Sequence, residues 1–154
     1  MCDAGFSESR IVSIDPNFDE ALLKQLTHVF PQEWFHKLSL IKGTSAMALK
    51  ELKGQKFDLV YIDGDHSADA VLNDWEHCKD LYTKFIIFDD YIEEEQPGIA
   101  VKSVVDKLEE EKELLIMDRR IFFDDRRIPD DEINYGQVLI KHPDFDDSEF
   151  MDEW

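Results

Sequence analysis

The residues best able to do chemistry in this sequence are acids that directly follow short apolar runs. Asp63 closes Phe57-Asp58-Leu59-Val60-Tyr61-Ile62 and opens Asp63-Gly64-Asp65-His66, the pair Asp89-Asp90 closes Phe85-Ile86-Ile87-Phe88, and Asp15 closes Ile11-Val12-Ser13-Ile14. Carboxylates crowded beside an apolar strand must find compensation or lose their charge. A Mg²⁺-like ion, held by a few carboxylates with open positions for water and substrate, supplies that compensation. Asp63 and Asp89 are 26 residues apart, enough for a helical crossover and a parallel return, and neighbouring strands lie ~4.8 Å apart. Asp63, Asp89 and Asp90 are therefore candidate ligands of one divalent cation.

His66 lies just beyond the same strand end as Asp63. A histidine there can take the proton of a substrate hydroxyl, and a metal that touches the hydroxyl makes that proton more acidic. The plainer alternatives are solvated strand-end acids and a locally bonded histidine at a helix start. Asp-Asp pairs also stand at 124-125, 130-131 and 146-147, so the dipeptide carries no information; the apolar strand before 89-90 does. Asp15 stands where nucleotide-binding sheets place an acid on ribose hydroxyls, and equally serves as a turn residue before Pro16. His28, His36, His77 and His142 have no such company, and Glu93-Glu94-Glu95 reads as a solvated charge run.

The elements that must position these residues alternate between short apolar runs and segments of helical period, the mark of a parallel sheet covered by helices. After Asp15-Pro16, Asn17 with Glu20 makes a capping box for a helix carrying Phe18, Ala21, Leu22, Leu26, Val29 and Phe30, which Pro31 stops. Leu38 to Ile41 is a second strand, and Ser45 after Gly43-Thr44 caps a short helix through Leu49 and Leu52 that closes at Gly54. The third strand, Phe57 to Ile62, leads into a helix opened by Ser67 or Asp69 and carrying Val71, Trp75, Cys78 and Leu81. Phe85 to Phe88 is apolar throughout, as a strand covered on both faces would be. Val101, Val104, Val105 and Leu108 share a helical stripe, whereas Leu114 to Met117, Ile121 to Phe123 and Gln137 to Ile140 are strand-like with no helix between them. An antiparallel pair at one sheet edge follows. The expected organisation is one domain over 1–141 and an acidic tail over 142–154, from which Phe145, Phe150 and Trp154 could dock.

The chain has 154 residues, 36 acidic and 17 basic, for a formal charge of −19. That balance repels phosphate backbones and anionic headgroups, which argues against nucleic acid and membrane as partners. Two cysteines, Cys2 and Cys78, make neither a disulfide framework nor a zinc site. With no long apolar run and no signal-like start, a cytoplasmic location is the expectation. The 43% of hydrophobic residues is enough for a core in a domain of this size.

Taken together, FDLVYIDGDH at 57–66, FIIFDDY at 85–91, PGIAVKSVVDKL at 97–108 and SIDPNF at 13–18 resemble the class I S-adenosylmethionine-dependent methyltransferases, in particular their metal-dependent O-methyltransferase branch. The resemblance runs over roughly residues 10–141. It implies a Rossmann-like, doubly wound, mostly parallel sheet with an antiparallel edge pair. It implies that Asp15 binds the cofactor ribose, that Gly43, Thr44 and Ser45 border the adenine, and that Asp63, also beside the cofactor, holds Mg²⁺ together with Asp89 and Asp90. His66 takes the place of the general base, and the acceptor is a hydroxyl of a small molecule or a sugar. The family's sheet order is 3-2-1-4-5-7-6, and its first strand with the glycine-rich turn has no counterpart in Met1 to Arg10. That absence makes a homo-oligomer an expectation worth testing, and makes a non-catalytic binding domain on the same scaffold the alternative to an enzyme. Asp63-Gly64-Asp65 also fits the Asp-x-Asp metal motif of nucleotide-sugar glycosyltransferases, a reading that leaves Asp89-Asp90 without a role.

Overall fold

In the computed structural model, which describes residues 9–91, 99–116, 136–146 and 148, the apolar runs become strands and the chain divides into two compact units at Leu52–Lys53. In the first unit, β1 (Ile11–Asp15) pairs in parallel with β2 (Leu38–Lys42), with Ile11 opposite Leu38 and Asp15 opposite Lys42. Helices α1 (Glu20–Leu26) and α2 (Gln32–Phe35) connect them, and α3 (Ser45–Glu51) follows. The start of α1 is corrected from the capping box expected at Asn17. The Asp19 carboxylate accepts the Ala21 N–H at 2.8 Å, while the Asn17 N–H donates to Asp15 Oδ1 at 2.7 Å. Beyond Leu26 the regular helix gives way to turns through Phe30, and Pro31 then begins the unforeseen α2 from its N-cap position, where its fixed φ (−54°) costs nothing. Phe30 stacks on Trp34 at 5.6 Å. Thr44 rather than Ser45 is the N-cap of α3, without a side-chain capping bond, and Gly54 (φ 86°) takes the left-handed conformation past its end.

The second unit is a four-stranded sheet in the order β3-β4-β6-β5. Here β3 is Phe57–Ile62 and β4, longer than its apolar run suggested, is Tyr82–Phe88; β5 is Lys112–Ile116 and β6 is Gly136–Lys141. The β3–β4 pair is parallel, and β6 runs antiparallel to both β4 and β5. The expected antiparallel edge is thus present, with β6 inside it. Ile121 to Phe123 and Glu93 to Glu95 lie outside the described residues.

Helix α4 (Ala68–Cys78) crosses between β3 and β4, and α5 (Val101–Val105) follows β4. The core of this unit collects Ile86 and Phe88 from β4, Val138 and Ile140 from β6, Val71 and Trp75 from α4, and Val101, Val104 and Val105 from α5, all buried. Burial of such side chains contributes roughly 1.5–3 kcal/mol each. The Trp75 ring lies 6.1 Å from Phe88 and 6.5 Å from Tyr82. His142 packs edge-on to Tyr82 at 5.2 Å and Phe145 to Phe85 at 5.1 Å, so the first residues of the acidic tail dock on the sheet.

Among the described residues no strand pairs with β1 or β3 on its second edge. The fold is mixed α/β, with parallel strands, crossover helices and an antiparallel edge. No helix among the described residues is long and apolar enough to cross a membrane.

Candidate metal centre

Parallel pairing brings the ends of β3 and β4 together, with Ile62 opposite Phe88, so the acids that follow each strand emerge at one place. One ligand atom each from Asp63, His66 and Asp90 lies within 4.8 Å of the other two. His66 Nε2 stands 3.0 Å from Asp90 Oδ2 and 3.7 Å from Asp63 Oδ1. These are ion-pair distances, yet the ring nitrogen is buried and has no aligned hydrogen-bond partner. Two carboxylates and an imidazole thus face a common point without satisfying one another. The two carboxylates suit a divalent cation such as Mg²⁺ or Mn²⁺, and a His66 Nε2 that does not ligate the ion keeps its lone pair for a proton.

The backbone accounts for this aim. Asp90 adopts φ 52°, the one positive φ outside glycine among the described residues, a conformation that costs an L residue roughly 1–3 kcal/mol and persists where its surroundings impose it. The Asp89 N–H donates to the Ile62 carbonyl at 3.0 Å, and the Tyr91 N–H to the Gly136 carbonyl at 3.0 Å, so the residues on either side of Asp90 are tied to β3 and to β6. Beyond Asp90, the Tyr91 hydroxyl donates to Asp106 Oδ1 at 2.6 Å and Lys102 Nζ donates to both, anchoring the chain to α5 and its end. The His66 carbonyl is fixed by the Ala100 N–H at 2.8 Å. Burial pushes the Asp90 carboxyl above the ordinary Asp range; His66 pulls it back, and Asp89 and Asp63 push it further up.

Asp89, grouped with these acids on sequence, is placed differently. It is buried, its Oδ2 accepts the Tyr61 hydroxyl at 2.7 Å, and its Oδ1 accepts the Gln137 amide at 3.1 Å. The same amide donates to the Tyr61 oxygen at 2.7 Å. Tyr61 and Gln137 escaped the sequence reading; the signals were a phenol within an otherwise aliphatic stretch of β3 and an amide at the start of β6. Asp65 is not part of this convergence. Its Oδ1 accepts the Ser67 N–H at 2.8 Å, a bond that lowers its pKa and starts α4. The Asp-x-Asp reading therefore lacks its second acid. A Cβ at Gly64 would sit 3.3 Å from Oδ2 of buried Asp74, a tight contact that a shift of a few tenths of an ångström in that carboxylate would relieve.

In the first unit, the residues expected around a cofactor meet at the carboxyl ends of β1 and β2. The Asp15 carbonyl accepts the Gly43 N–H at 3.2 Å. A Cβ at Gly43 would meet nothing within 4 Å, so the space above the turn is open. The Thr44 hydroxyl makes no capping bond, and Ser45 is the first residue of α3. Asp15 Oδ1 already accepts the Asn17 N–H, which is the turn role weighed for it on sequence. These four residues fit a polar ligand edge at a strand terminus; one Asp15 oxygen is committed to the turn.

Comparison with known proteins now bears on the class. Residues 1–91 match a family model described as a methyltransferase domain, and the chain belongs to that family. Among solved structures, it is similar to the apo form of CalS11, a TDP-rhamnose 3'-O-methyltransferase of calicheamicin biosynthesis (TM-score 0.57, 15% identity, 88% of this chain and 59% of that one). It is also similar to the O-methyltransferase TomG from Streptomyces achromogenes, involved in tomaymycin synthesis and solved with S-adenosylmethionine (TM-score 0.56, 11% identity, 86% of this chain and 61% of that one). At these identities the likeness is one of fold, and the chain spans about three fifths of the length of these structures. No curated protein matches it.

Proposed function

We propose that this chain carries out S-adenosylmethionine-dependent methyl transfer to a hydroxyl of a small molecule or sugar, assisted by a divalent cation such as Mg²⁺. The observation that carries this reading is the convergence of Asp63, His66 and Asp90 at the ends of two neighbouring parallel strands, in a chain of the methyltransferase-domain family.

S-adenosylmethionine supplies an electrophilic methyl on a sulfonium. A divalent cation held there would lower the pKa of a hydroxyl beside it. Asp63 and Asp90 are the carboxylates assigned to the cation, and Asp15 with Gly43, Thr44 and Ser45 are assigned to the ribose and adenine. With acceptor and cofactor bound, His66 Nε2 would take the proton of the hydroxyl that accepts the methyl, and Asp90, 3.0 Å away, would stabilise the resulting imidazolium. The products are a methyl ether, S-adenosylhomocysteine and the proton left on His66. Orientation of the two reactants is the main source of acceleration in such a transfer.

Isothermal titration with S-adenosylhomocysteine, with and without Mg²⁺, tests the reading. Binding that strengthens when Mg²⁺ is present is expected; no heat under either condition overturns it. A non-catalytic binding domain is the second reading, favoured by the Asp15 oxygen that Asn17 already occupies. Under it, methyl transfer stays at background with any hydroxylated acceptor, and His66→Asn changes nothing. Under the first reading, His66→Asn lowers kcat about 10²–10⁴-fold.

A further inference from the structure

We infer that Tyr61 and Gln137 are positioning residues of the cation centre: from the strands on either side of β4 they hold the carboxylate of buried Asp89 in place as a third acidic ligand beside Asp63 and Asp90. The inference rests on the cation reading above.

The register of the sheet accounts for the meeting. Tyr61 is opposite Ile87, and Ile87 is opposite Leu139, so side chains of β3, β4 and β6 line up in rows across one face. One step beyond the closing pair Phe88–Val138, Asp89 falls beside Gln137. Side chains alternate between faces along a strand. Carried past the strand ends, that alternation sends Asp63, two residues after Tyr61, and Asp89, two residues after Ile87, to the same face. Asp89 is not one of the three groups that already meet, yet its charge is felt there, where it pushes the Asp90 carboxyl up.

The two oxygens of Asp89 are engaged separately. The Tyr61 hydroxyl donates to Oδ2 at 2.7 Å, and the Gln137 amide donates to Oδ1 at 3.1 Å and to the Tyr61 oxygen at 2.7 Å. Both donors are neutral. They fix a buried carboxylate and offset part of its lost hydration without cancelling its charge. An ionised carboxylate accepts at about four positions, so accepting these two bonds does not preclude holding an ion. Groups that orient a metal ligand in this way change affinity about 10–100-fold when removed.

Isothermal titration of the full chain with Mn²⁺ tests this, arranged as a double-mutant cycle between Asp89 and the pair. Tyr61→Phe with Gln137→Leu alters two side chains that are not buried, keeps their size and removes their hydrogen bonds. It is expected to weaken Mn²⁺ binding about 10–100-fold, and Asp89→Asn is expected to weaken it at least as far. With Asp89→Asn already in place, the same pair of substitutions is expected to add less than about twofold, because groups that act through one carboxylate have nothing further to lose once it is gone. Full affinity in the Tyr61→Phe, Gln137→Leu variant overturns the inference. So does an equal further loss with and without Asp89→Asn, which is what a merely structural role gives. Full affinity in Asp89→Asn overturns it as well, since Asp89 is then no ligand. Should the paired variant not fold, Tyr61→Phe alone, which deletes one hydroxyl, is expected to cost about tenfold, and unchanged affinity there counts against the inference equally. If the unsubstituted chain binds no Mn²⁺, the cation reading itself fails and takes this inference with it; binding by the unsubstituted chain with no effect of the variants sinks the inference alone.

Discussion

Asp90 concentrates the physics of the centre. Burial and its acidic neighbours raise its pKa above the value in an unfolded chain, so the fold prefers this carboxyl protonated. The stabilising contribution is present below the unfolded pKa and is lost as pH rises through the folded one. At neutral pH without a cation, Asp90→Asn is therefore expected to raise Tm, and the gain should shrink to nothing as pH falls below the ordinary Asp range. Thermal melts of both proteins across pH 3–8 check this, and a gain that grows on acidification would contradict it. With saturating Mg²⁺ the order reverses, because the ion compensates the unsubstituted carboxylate alone. By the same shift, protons displace the cation at a pH above the ordinary Asp range, measurable as Mg²⁺ affinity against pH. Asp63, His66 and Asp90 were legible in the sequence because each follows an apolar strand. The different placements of Asp89 and Asp90 were not legible, since Asp89 meets Tyr61 and Gln137 from distant parts of the chain and Asp90 departs by one backbone dihedral.

Elements were legible in proportion to how strongly they bury one stripe. Val71, Trp75 and Cys78 recur at helical spacing and became the buried face of α4, and Phe85 to Phe88 became the middle of β4. The four-residue α2 has no buried residue and left no periodic trace. The irregularity between Phe57 and Leu59 leaves no mark either, because a bulge is set by the partner strand. The place of β6 between β4 and β5 depends on pairing across residues far apart in sequence, which a local pattern does not encode. Trp75 joins helix to sheet through Tyr82 and Phe88 and is 4% exposed. Trp75→Ala is expected to cost about 3–5 kcal/mol, seen as a lower urea midpoint at unchanged m. A loss under 1 kcal/mol would mean that α4 contributes little to the second unit. Cys78 at the end of the same helix has its thiol pushed up to about 12 by burial, with Asp74 adding to it. It should accordingly resist thiol reagents until the protein unfolds.

At the scale of the whole chain, a charge of −19 on 154 residues means that folding concentrates like charges, and ordinary salt should relieve part of that repulsion. Tm is expected to rise with NaCl and level off once the Debye length falls well below 10 Å. Screening by itself does not distinguish one cation from another at equal ionic strength. A built site does, because an ion that binds only the folded chain stabilises it by RT ln(1 + [L]/Kd), about 2.7 kcal/mol at a hundredfold excess over Kd. For a chain of this length that amounts to roughly 5–10 °C in Tm. MgCl2 or MnCl2 at matched ionic strength should therefore add a saturable increment above the NaCl plateau, and Asp63→Asn with Asp90→Asn should abolish the increment while leaving the NaCl response in place. If the divalent salts merely overlay the NaCl curve, or if the increment survives both substitutions, the acids at the ends of β3 and β4 are part of a diffuse negative surface and the cation belongs elsewhere.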